Sequence, residues 1–411
     1  MASTLTWLDY SERDRRHAMG VIDLFRETGT IDELGLAGVG SSFSDLFFPG
    51  TSTIQTRACY FLLVPWLFLE LEGRKVKSSE ARARFRRAER NLNRQLCHGN
   101  DEPGLFGRVA GDALKRLPSD VYWGGLRSWG ILTFPSHQWA YFRSLDEFYR
   151  RASRFRGASR DPEGRSAPPA NWHPNLPKPP SAFPSANVNV ALRRPDAEYL
   201  RERIQARHPE SLLAVLAGRA DRADLEAGRP WELAVHREVP PGLRDQLRDA
   251  QCFAVCMQGA AFVYNLMLAE LRQHEEWTEN HRGNLEEWAD KVDALGPDLA
   301  NWKPSGVWLV MKAQGWPLGS PTQTFVERWV ETLKQDGPRG VADSNNARTL
   351  VRDREVQLKR SRARLTNPRR LELWGGASGT WLMSYRWGSA KRILKDIFDG
   401  LARSEGDAGN A

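Results

Sequence analysis

The stretch that decides the fold class is FFPGTSTIQTRACYFLLVPW, residues 47–66. Its apolar residues, continued to Leu69, recur at the i, i+3, i+4, i+7 spacing of a core helix, and Pro65 predicts a kink in that helix. The apolar run from Ala58 to Leu69 is 12 residues long. A membrane-spanning helix needs roughly 20 such residues. The stretch therefore predicts a buried helix, and we expect no membrane partner.

The four residues from Ser52 to Gln55 match a capping box. In that motif the Ser52 hydroxyl accepts from the N–H of residue 55, and the Gln55 side chain returns to the N–H of residue 52. The motif predicts a helix N-terminus at Ser52. An anion site on the same exposed N–H groups is the alternative, although the chain has no phosphate-loop motif G-x-x-x-x-G-K-[ST].

The helical period recurs along most of the chain, and long alternating strand patterns are not evident. One short hairpin is predicted at Leu371–Met383, where LELWGGASGTWLM places apolar residues on both sides of a glycine-rich turn. The fold class is therefore predicted to be mainly α, a multi-helical two-domain protein.

A helix-turn-helix-like element is predicted in residues 107–132, where a Pro-containing turn separates two helical patterns. The second helix is expected to bury Tyr122, Leu126 and Trp129 and to expose Arg127. An ordinary helical hairpin is the alternative reading of the same pattern.

The domain organisation is predicted from composition. At 411 residues the chain suits two or three domains, and a segment rich in Pro, Ser, Arg and Asn cannot hold a helix. The prediction is an N-terminal helical domain (1–155), a linker or surface loop (156–195), a C-terminal helical domain (196–403) and a disordered tail (404–411).

Cysteine usage and the N-terminal sequence predict a cytoplasmic location. Four cysteines are too few for a disulfide scaffold, so free thiols are expected. The sequence MASTLTWLDYSERDRR, residues 1–16, is charged and lacks the apolar core of a signal peptide.

Positive charge is concentrated in two segments. Residues 74–94 and residues 339–370 each carry a net charge of +7, whereas the whole chain carries +8, so the remainder sums to −6. Arginines at i+4 spacing on a helix form a ridge about 18 Å long, and the arginine fork matches phosphate oxygens. DNA is therefore the predicted partner, and an acidic protein or a solvated helix face is the alternative. The predicted nucleic-acid-binding residues are Arg82, Arg86, Arg90, Arg94, Arg348, Arg352, Lys359, Arg360, Arg362, Arg364, Arg369 and Arg370.

Motifs for catalysis and for metal binding are missing from the sequence. G-x-S-x-G, H-E-x-x-H and E-x-K do not occur, and Cys252 and Cys256 have no second Cys/His pair at zinc spacing. We predict no cofactor and no metal, with packing roles for both cysteines. An enzyme whose site is assembled from dispersed residues stays an alternative, most plausibly around His274, Glu275 and His281.

Tryptophan is frequent, with 16 residues in the chain. Most are expected in the core because they lie at helical spacing with Leu, Ile or Phe. Trp374, Trp381 and Trp387 follow the second basic segment, and we consider them for stacking on nucleic-acid bases.

Five motifs resemble a bacterial family catalogued as a domain of unknown function. They are WLDYSERDRR (Trp7–Arg16), DELGL (Asp32–Leu36), LFFPGTSTIQTRACYFLLVPW (Leu46–Trp66), LPSDVYWGGLRSWGI (Leu117–Ile131) and SYRW (Ser384–Trp387). The likeness runs from the first helix to the last. Cys59 stands where that family usually has arginine, which argues against a required thiol.

The resemblance implies a place in antiphage defence islands near helicase-like and phospholipase-D-like proteins. It supplies no catalytic residue. Gln55, Arg57, Arg127 and Trp387 are marked for an interaction or structural role. The predicted function is a non-enzymatic accessory subunit that binds nucleic acid, and the alternative from another class is a scaffold or adapter for a helicase-like partner.

Overall fold

The computed structural model describes residues 32–98, 101–158, 169–181, 183–184, 188–233, 239–316 and 319–404. This part of the chain is mainly helical, with fifteen α-helices and no sheet, so the mainly α prediction is confirmed. The helices are α1 (Ala37–Phe47), α2 (Tyr60–Gly73), α3 (Ser78–Cys97), α4 (Pro118–Ser128), α5 (Gln138–Ala158), α6 (Arg194–Arg207), α7 (Leu212–Arg219), α8 (Pro241–Leu271), α9 (Glu275–Leu295), α10 (Pro297–Asn301), α11 (Ser305–Gln314), α12 (Ser320–Asp336), α13 (Asn345–Lys359), α14 (Pro368–Leu371) and α15 (Trp387–Leu401).

The chain divides into two compact units, each made of two separate stretches. Unit A combines Met1–Leu46 with Arg229–Tyr385, and unit B combines Phe47–Gly228 with Arg386–Ala411. The sequence-based domains are each continuous in the chain, and their boundaries stay a prediction. The motif at residues 7–16 and the tail beyond residue 404 lie outside the described residues.

Unit A is built around α8, a 31-residue helix that packs against α9, α11, α12 and α13. Two tryptophans anchor its neighbours, because Trp288 and Trp329 donate their indole N–H to carbonyls of α8 at 2.7 and 2.8 Å. A Cβ at Gly259 would lie 2.1 Å from the Trp288 ring, so only glycine fits there. By length and composition α8 could cross a membrane, but 89% of its most apolar window is buried, as in a core helix.

Unit B has an aromatic core around α2. Phe68 stacks on Phe85 of α3 with ring centroids 3.9 Å apart. Further rings close the cluster around Phe68, and burial of each such ring stabilises the fold by about 1.5–3 kcal/mol. These rings are Trp123, Tyr141, Phe142 and Trp172.

The capping-box prediction is wrong, because α2 begins at Tyr60 rather than at Ser52. Residues 52–55 form a turn, in which the Gln55 side chain does accept from the Ser52 N–H at 3.2 Å. The Ser52 hydroxyl, however, has no hydrogen-bond partner among the described residues. The following N–H groups are bound by distant side chains instead, because Tyr122 accepts from Arg57 at 3.1 Å.

The helix-turn-helix prediction is also wrong. A single 3₁₀ turn at Gly111–Ala113 replaces the first helix, and α4 begins at Pro118, inside the predicted turn. Proline is favoured at the first helical position, since its missing N–H has no intrahelical partner there. The core residues Tyr122, Leu126 and Trp129 are buried as predicted, but Arg127 is half-buried rather than exposed.

Residues 371–383 do not form the predicted hairpin. The described residues show one isolated antiparallel bridge, between Leu132 and Trp172, and no strand in this segment. The segment is a loop whose carbonyls accept from side chains of α8 and α9 instead of from a second strand. Gly376, with φ +98°, supports this course, and a Cβ at this position would lie 3.0 Å from the Trp277 ring.

Candidate nucleic-acid interface

The first basic segment forms the outer face of α3. Arg82, Arg87 and Arg90 are exposed, and none of them makes an ion pair or side-chain hydrogen bond within the described ranges. Arg94 is exposed on the same helix. The opposite face is buried, so α3 has one basic side and one core side. The buried residues are Ala81, Phe85, Glu89, Leu92, Asn93 and Leu96.

Arg86 differs from the rest of the predicted ridge. It is half-buried, and its Nη2 donates to both carboxylate oxygens of Asp120 at 3.1 and 3.2 Å. Asp120 also accepts from the N–H of Leu117 at 3.3 Å, at the start of α4. Arg86 therefore ties α3 to the first turn of α4, and we assign it a structural role instead of the predicted phosphate contact.

Glu89 lies beneath the basic face of α3 and is almost completely buried. Its carboxylate accepts from the N–H of Ser119 at 2.6 Å and from the Ser119 hydroxyl at 2.9 Å. Burial raises the pKa of Glu89 to about 7, and the two hydrogen bonds offset only part of that shift. The carboxylate replaces an N-cap side chain for α4, since it binds an N–H of the first turn.

The second basic segment contains several residues whose charge is used inside unit A. Arg348 pairs with Glu270 through both terminal nitrogens, at 2.6 and 3.0 Å. Arg354 is buried and donates to the Leu34 carbonyl at 2.9 Å. Because these guanidinium groups are already bound, the predicted nucleic-acid role of Arg348 is not supported.

Lys359 and Arg364 belong to a buried ion cluster with Glu33, Glu355 and Tyr264. Both cations contact Glu33, and Lys359 Nζ lies 2.9 Å from Glu355 Oε1. The Tyr264 hydroxyl donates to the same Glu355 oxygen at 2.6 Å. Burial alone would raise the pKa of the Glu33 and Glu355 carboxyls. The nearby cations and the groups that donate hydrogen bonds to each carboxylate hold each pKa below its usual value.

The ion cluster balances two almost completely buried carboxylates with two half-buried cations. Removing one partner from such a pair leaves a buried charge that costs about 3–5 kcal/mol. Lys359 and Arg364 therefore hold the fold of unit A, which corrects their sequence-based assignment to phosphate binding.

Of the other arginines in the second segment, Arg339 pairs with Asp290 and Asp293. Five more are exposed, and none of these five forms an ion pair in the part of the chain that the structure describes. They are Arg352, Arg360, Arg362, Arg369 and Arg370. Asn367 Nδ2 donates to the Ser361 carbonyl at 2.7 Å and so joins the turn at residues 360–362 to α14. Four of these arginines therefore lie on one connected stretch of unit A.

The three tryptophans considered for base stacking have different environments. Trp374 is 2% exposed and Trp387 is 1% exposed, so neither ring has a free face. Trp387 donates its N–H to the Ala227 carbonyl at 2.9 Å, which assigns it to the core of unit B rather than to an interaction surface. Trp381 is 70% exposed and is the one of the three that a base can reach.

Arg57 and Gln55 hold the loop before α2. Arg57 Nε donates to both oxygens of Asp396 at 3.1 and 3.0 Å, and its Nη1 donates to Glu102 at 2.8 Å. Burial alone would lower the pKa of Arg57, but the hydrogen bonds to Asp396 outweigh it and keep the guanidinium charged. Gln55 is buried and donates to the Gly50 carbonyl at 3.2 Å. Both side chains bind groups within unit B, and their interaction or structural role stays a prediction.

Four acidic residues with important contacts were not identified from the sequence. Three of them lie in helices at positions that helical spacing assigns to the core or next to it, whereas the fourth, Glu33, lies in the turn before α1. A carboxylate at such a position is the one available signal. These residues are Glu33, Glu89, Glu355 and Asp396.

The candidate enzyme residues do not converge on a site. His281 is buried, its Nε2 lies 2.7 Å from the Gly376 carbonyl, and burial lowers its pKa. His274 caps α9 and stacks on Trp277, whereas Glu275 is exposed. Within the described ranges no group of three or more His, Cys, Asp or Glu residues could hold a metal ion.

The cysteines pack in the core. Cys252 and Cys256 are free and buried on α8. Burial raises the pKa of the Cys252 thiol to about 12 and that of Cys256 further. Neither thiol is reactive at neutral pH, since the thiolate is the nucleophilic form.

The fold and these surfaces define an all-α protein with exposed arginines on both compact units. A family of unknown function, DUF6361, matches residues 2–401, and the chain belongs to that family. This confirms the resemblance over nearly the full chain. No curated protein and no solved structure matches the chain significantly.

Proposed function

We propose that the protein is a non-enzymatic subunit that binds the phosphate backbone of nucleic acid through exposed arginines of α3 and of residues 352–370. The observation that carries this proposal is the outer face of α3. There Arg82, Arg87 and Arg90 are exposed without a carboxylate partner among the described residues, in a chain whose charge outside the two basic segments is negative.

A helix face with several exposed arginines favours the binding of a polyanion. A duplex carries one negative charge per roughly 1.7 Å of axis, and each neutralised phosphate releases counterions. Arg82, Arg87, Arg90 and Arg94 lie on a helix of 20 residues, about 30 Å long. The fifth exposed arginine of α3, Arg84, pairs with Glu80. Phosphate contacts position a protein without reading bases, so we expect binding with little sequence preference.

The proposal predicts a steep salt dependence that weakens when arginines are removed. Each arginine that contacts a phosphate of B-form DNA contributes about 0.9 to the slope of log affinity against log salt. The triple variant Arg82→Ala, Arg87→Ala, Arg90→Ala is therefore expected to lose about 2.7 from that slope. A mobility-shift titration between about 50 and 200 mM salt measures it.

A charge-matched control is available in unit A. Lys303, Lys312 and Arg328 are exposed and outside both basic segments, so their replacement by Ala lowers the net charge equally and should keep the slope. Loss of thermal stability should be small in both triple variants, since exposed side chains contribute little. If the wild type binds neither DNA nor RNA at about 50 mM salt, the proposal is wrong.

The family resemblance adds a cellular setting to the proposal. We propose that the protein acts as an accessory subunit of an antiphage defence system, with a helicase-like or phospholipase-D-like protein as partner. The support is the likeness of the five sequence motifs alone. Co-expression of the neighbouring gene product with the tagged chain is expected to give a complex that survives size-exclusion chromatography. Separate elution of the two proteins would count against this setting and leave backbone binding intact.

A further inference from the structure

We propose that the second basic segment binds single-stranded nucleic acid, with a base stacked on Trp381 and phosphates held by Arg360, Arg362, Arg369 and Arg370. This inference rests on the proposed function and narrows it to a class of substrate. It uses residues of unit A alone.

The first observation is the exposure of Trp381. Trp381 is 70% exposed, whereas Trp374, seven residues earlier in the chain, is 2% exposed. Leu373, on the same segment, is 73% exposed. A large ring left in water in this way offers a face to a ligand, and every nucleobase has a matching π-face.

The second observation is that the backbone leading to Trp381 is held in place. The carbonyls of Gly376, Ser378 and Thr380 each accept a hydrogen bond from a side chain, at 2.7, 2.7 and 2.9 Å. The donors are His281, Asn265 and Gln258, in that order. Because Trp381 follows an anchored residue directly, stacking a base on it orders little additional backbone.

The third observation is the charge on the same segment. Arg369 and Arg370 lie in α14, five and four residues before Trp374, and both are exposed. The hydrogen bond from Asn367 to Ser361 joins them to the turn that carries Arg360 and Arg362. Arginines and an exposed aromatic ring on one segment of the chain are the combination that single-strand-binding surfaces use.

The platform favours a single strand over a duplex for a physical reason. In a duplex each base is covered by its neighbours, so an indole gains a base face only after unstacking, which costs a few kcal/mol. An unpaired strand presents its bases at no such cost. Both a duplex and a single strand can make the phosphate contacts, whereas stacking on Trp381 favours the single strand.

The test compares Trp381→Ala with a matched control on the same segment. Leu373→Ala removes an equally exposed apolar side chain that has no π-face. We expect Trp381→Ala to weaken binding of an oligothymidylate of about 20 nucleotides by at least about fivefold, the lower limit for one stacked base. Binding of a duplex of the same length should change less than about twofold, and the salt slope should stay the same because stacking releases no counterions.

Trp381→Phe is a second variant that keeps a ring, and it should retain most of the affinity for the single strand. If Trp381→Ala binds the oligothymidylate as tightly as the wild type, this inference is wrong while salt-dependent binding still supports the proposed function. Equal losses in the Trp381→Ala and Leu373→Ala proteins would indicate an apolar docking surface for a protein and overturn the inference. Binding of neither nucleic acid by the wild type would end both proposals.

Discussion

At the scale of single residues, Glu89 is a buried acid beneath the basic face of α3, and its burial changes its protonation. Its carboxylate caps α4 through Ser119 and lies near Asp120, which raises its pKa further, and near Arg86, which lowers it. Burial is the largest cause and places the pKa at about 7, against 4.5 for a solvated glutamate. The folded protein therefore holds a proton here at pH values where the unfolded chain has released it.

Replacing Glu89 with Gln should remove a pH dependence of stability. Between about pH 4.5 and 7 the native state binds more protons than the unfolded state, so the free energy of unfolding of the wild type falls as pH rises through this window. The shift corresponds to about 3 kcal/mol. Urea unfolding at pH 5 and at pH 8 measures the effect. From pH 5 to pH 8 the free energy of unfolding of the wild type should fall by about that much more than that of Glu89→Gln.

The matched control is Glu80→Gln. Glu80 lies on the same helix but is exposed and pairs with Arg84 at the surface, so its replacement should leave the pH dependence unchanged. Parallel pH profiles for the wild type and Glu89→Gln would show that Glu89 does not titrate in this window.

At the scale of secondary-structure elements, the start of α2 depends on α15. Asp396 of α15 accepts from the N–H of Ala58 at 2.7 Å and from the Arg57 side chain. Tyr122 of α4 binds the N–H groups of Thr56 and Arg57 at 2.9 and 3.1 Å. Helix initiation is thus fixed by side chains from two other helices, not by a local cap.

Asp396→Asn should destabilise the protein by about 3 kcal/mol, because it leaves a largely buried Arg57 with one carboxylate fewer. Asp399→Asn, one turn along α15, alters a more exposed carboxylate paired with Lys395 and Arg222 and should cost less than about 1 kcal/mol. Chemical denaturation of both variants measures the difference. Equal effects at the two positions would contradict the role given to Asp396.

At the scale of the whole molecule, the sequence predicted the helical class because apolar periodicity is a local signal. The same period placed Tyr122, Leu126 and Trp129 in the core correctly. The predicted helix start at Ser52 and the predicted hairpin at residues 371–383 were wrong. In both regions the backbone groups bind side chains that are far away in the chain. Asn265, for example, binds Ser378 across 113 residues.

The candidate site was predictable in part. Counting charges located both basic segments, and Arg82, Arg90 and Arg369 are exposed as expected. Charge alone cannot separate an arginine that faces water from one that neutralises a buried acid. Lys359 and Arg364 belong to the second kind, because Glu33 lies more than 300 positions away in the chain.

The interleaved order of the two units has a consequence for protein synthesis. The ribosome completes residues 47–228 of unit B long before it makes residues 386–401, which supply Asp396. The Glu33–Lys359 ion pair of unit A is delayed in the same way, since Glu33 is made early and Lys359 is made late. Domains usually fold as units while the chain emerges, but here the acid that neutralises Arg57 is translated 339 positions after it. Neither unit reaches its final set of charge pairs until the later of its two stretches has been made.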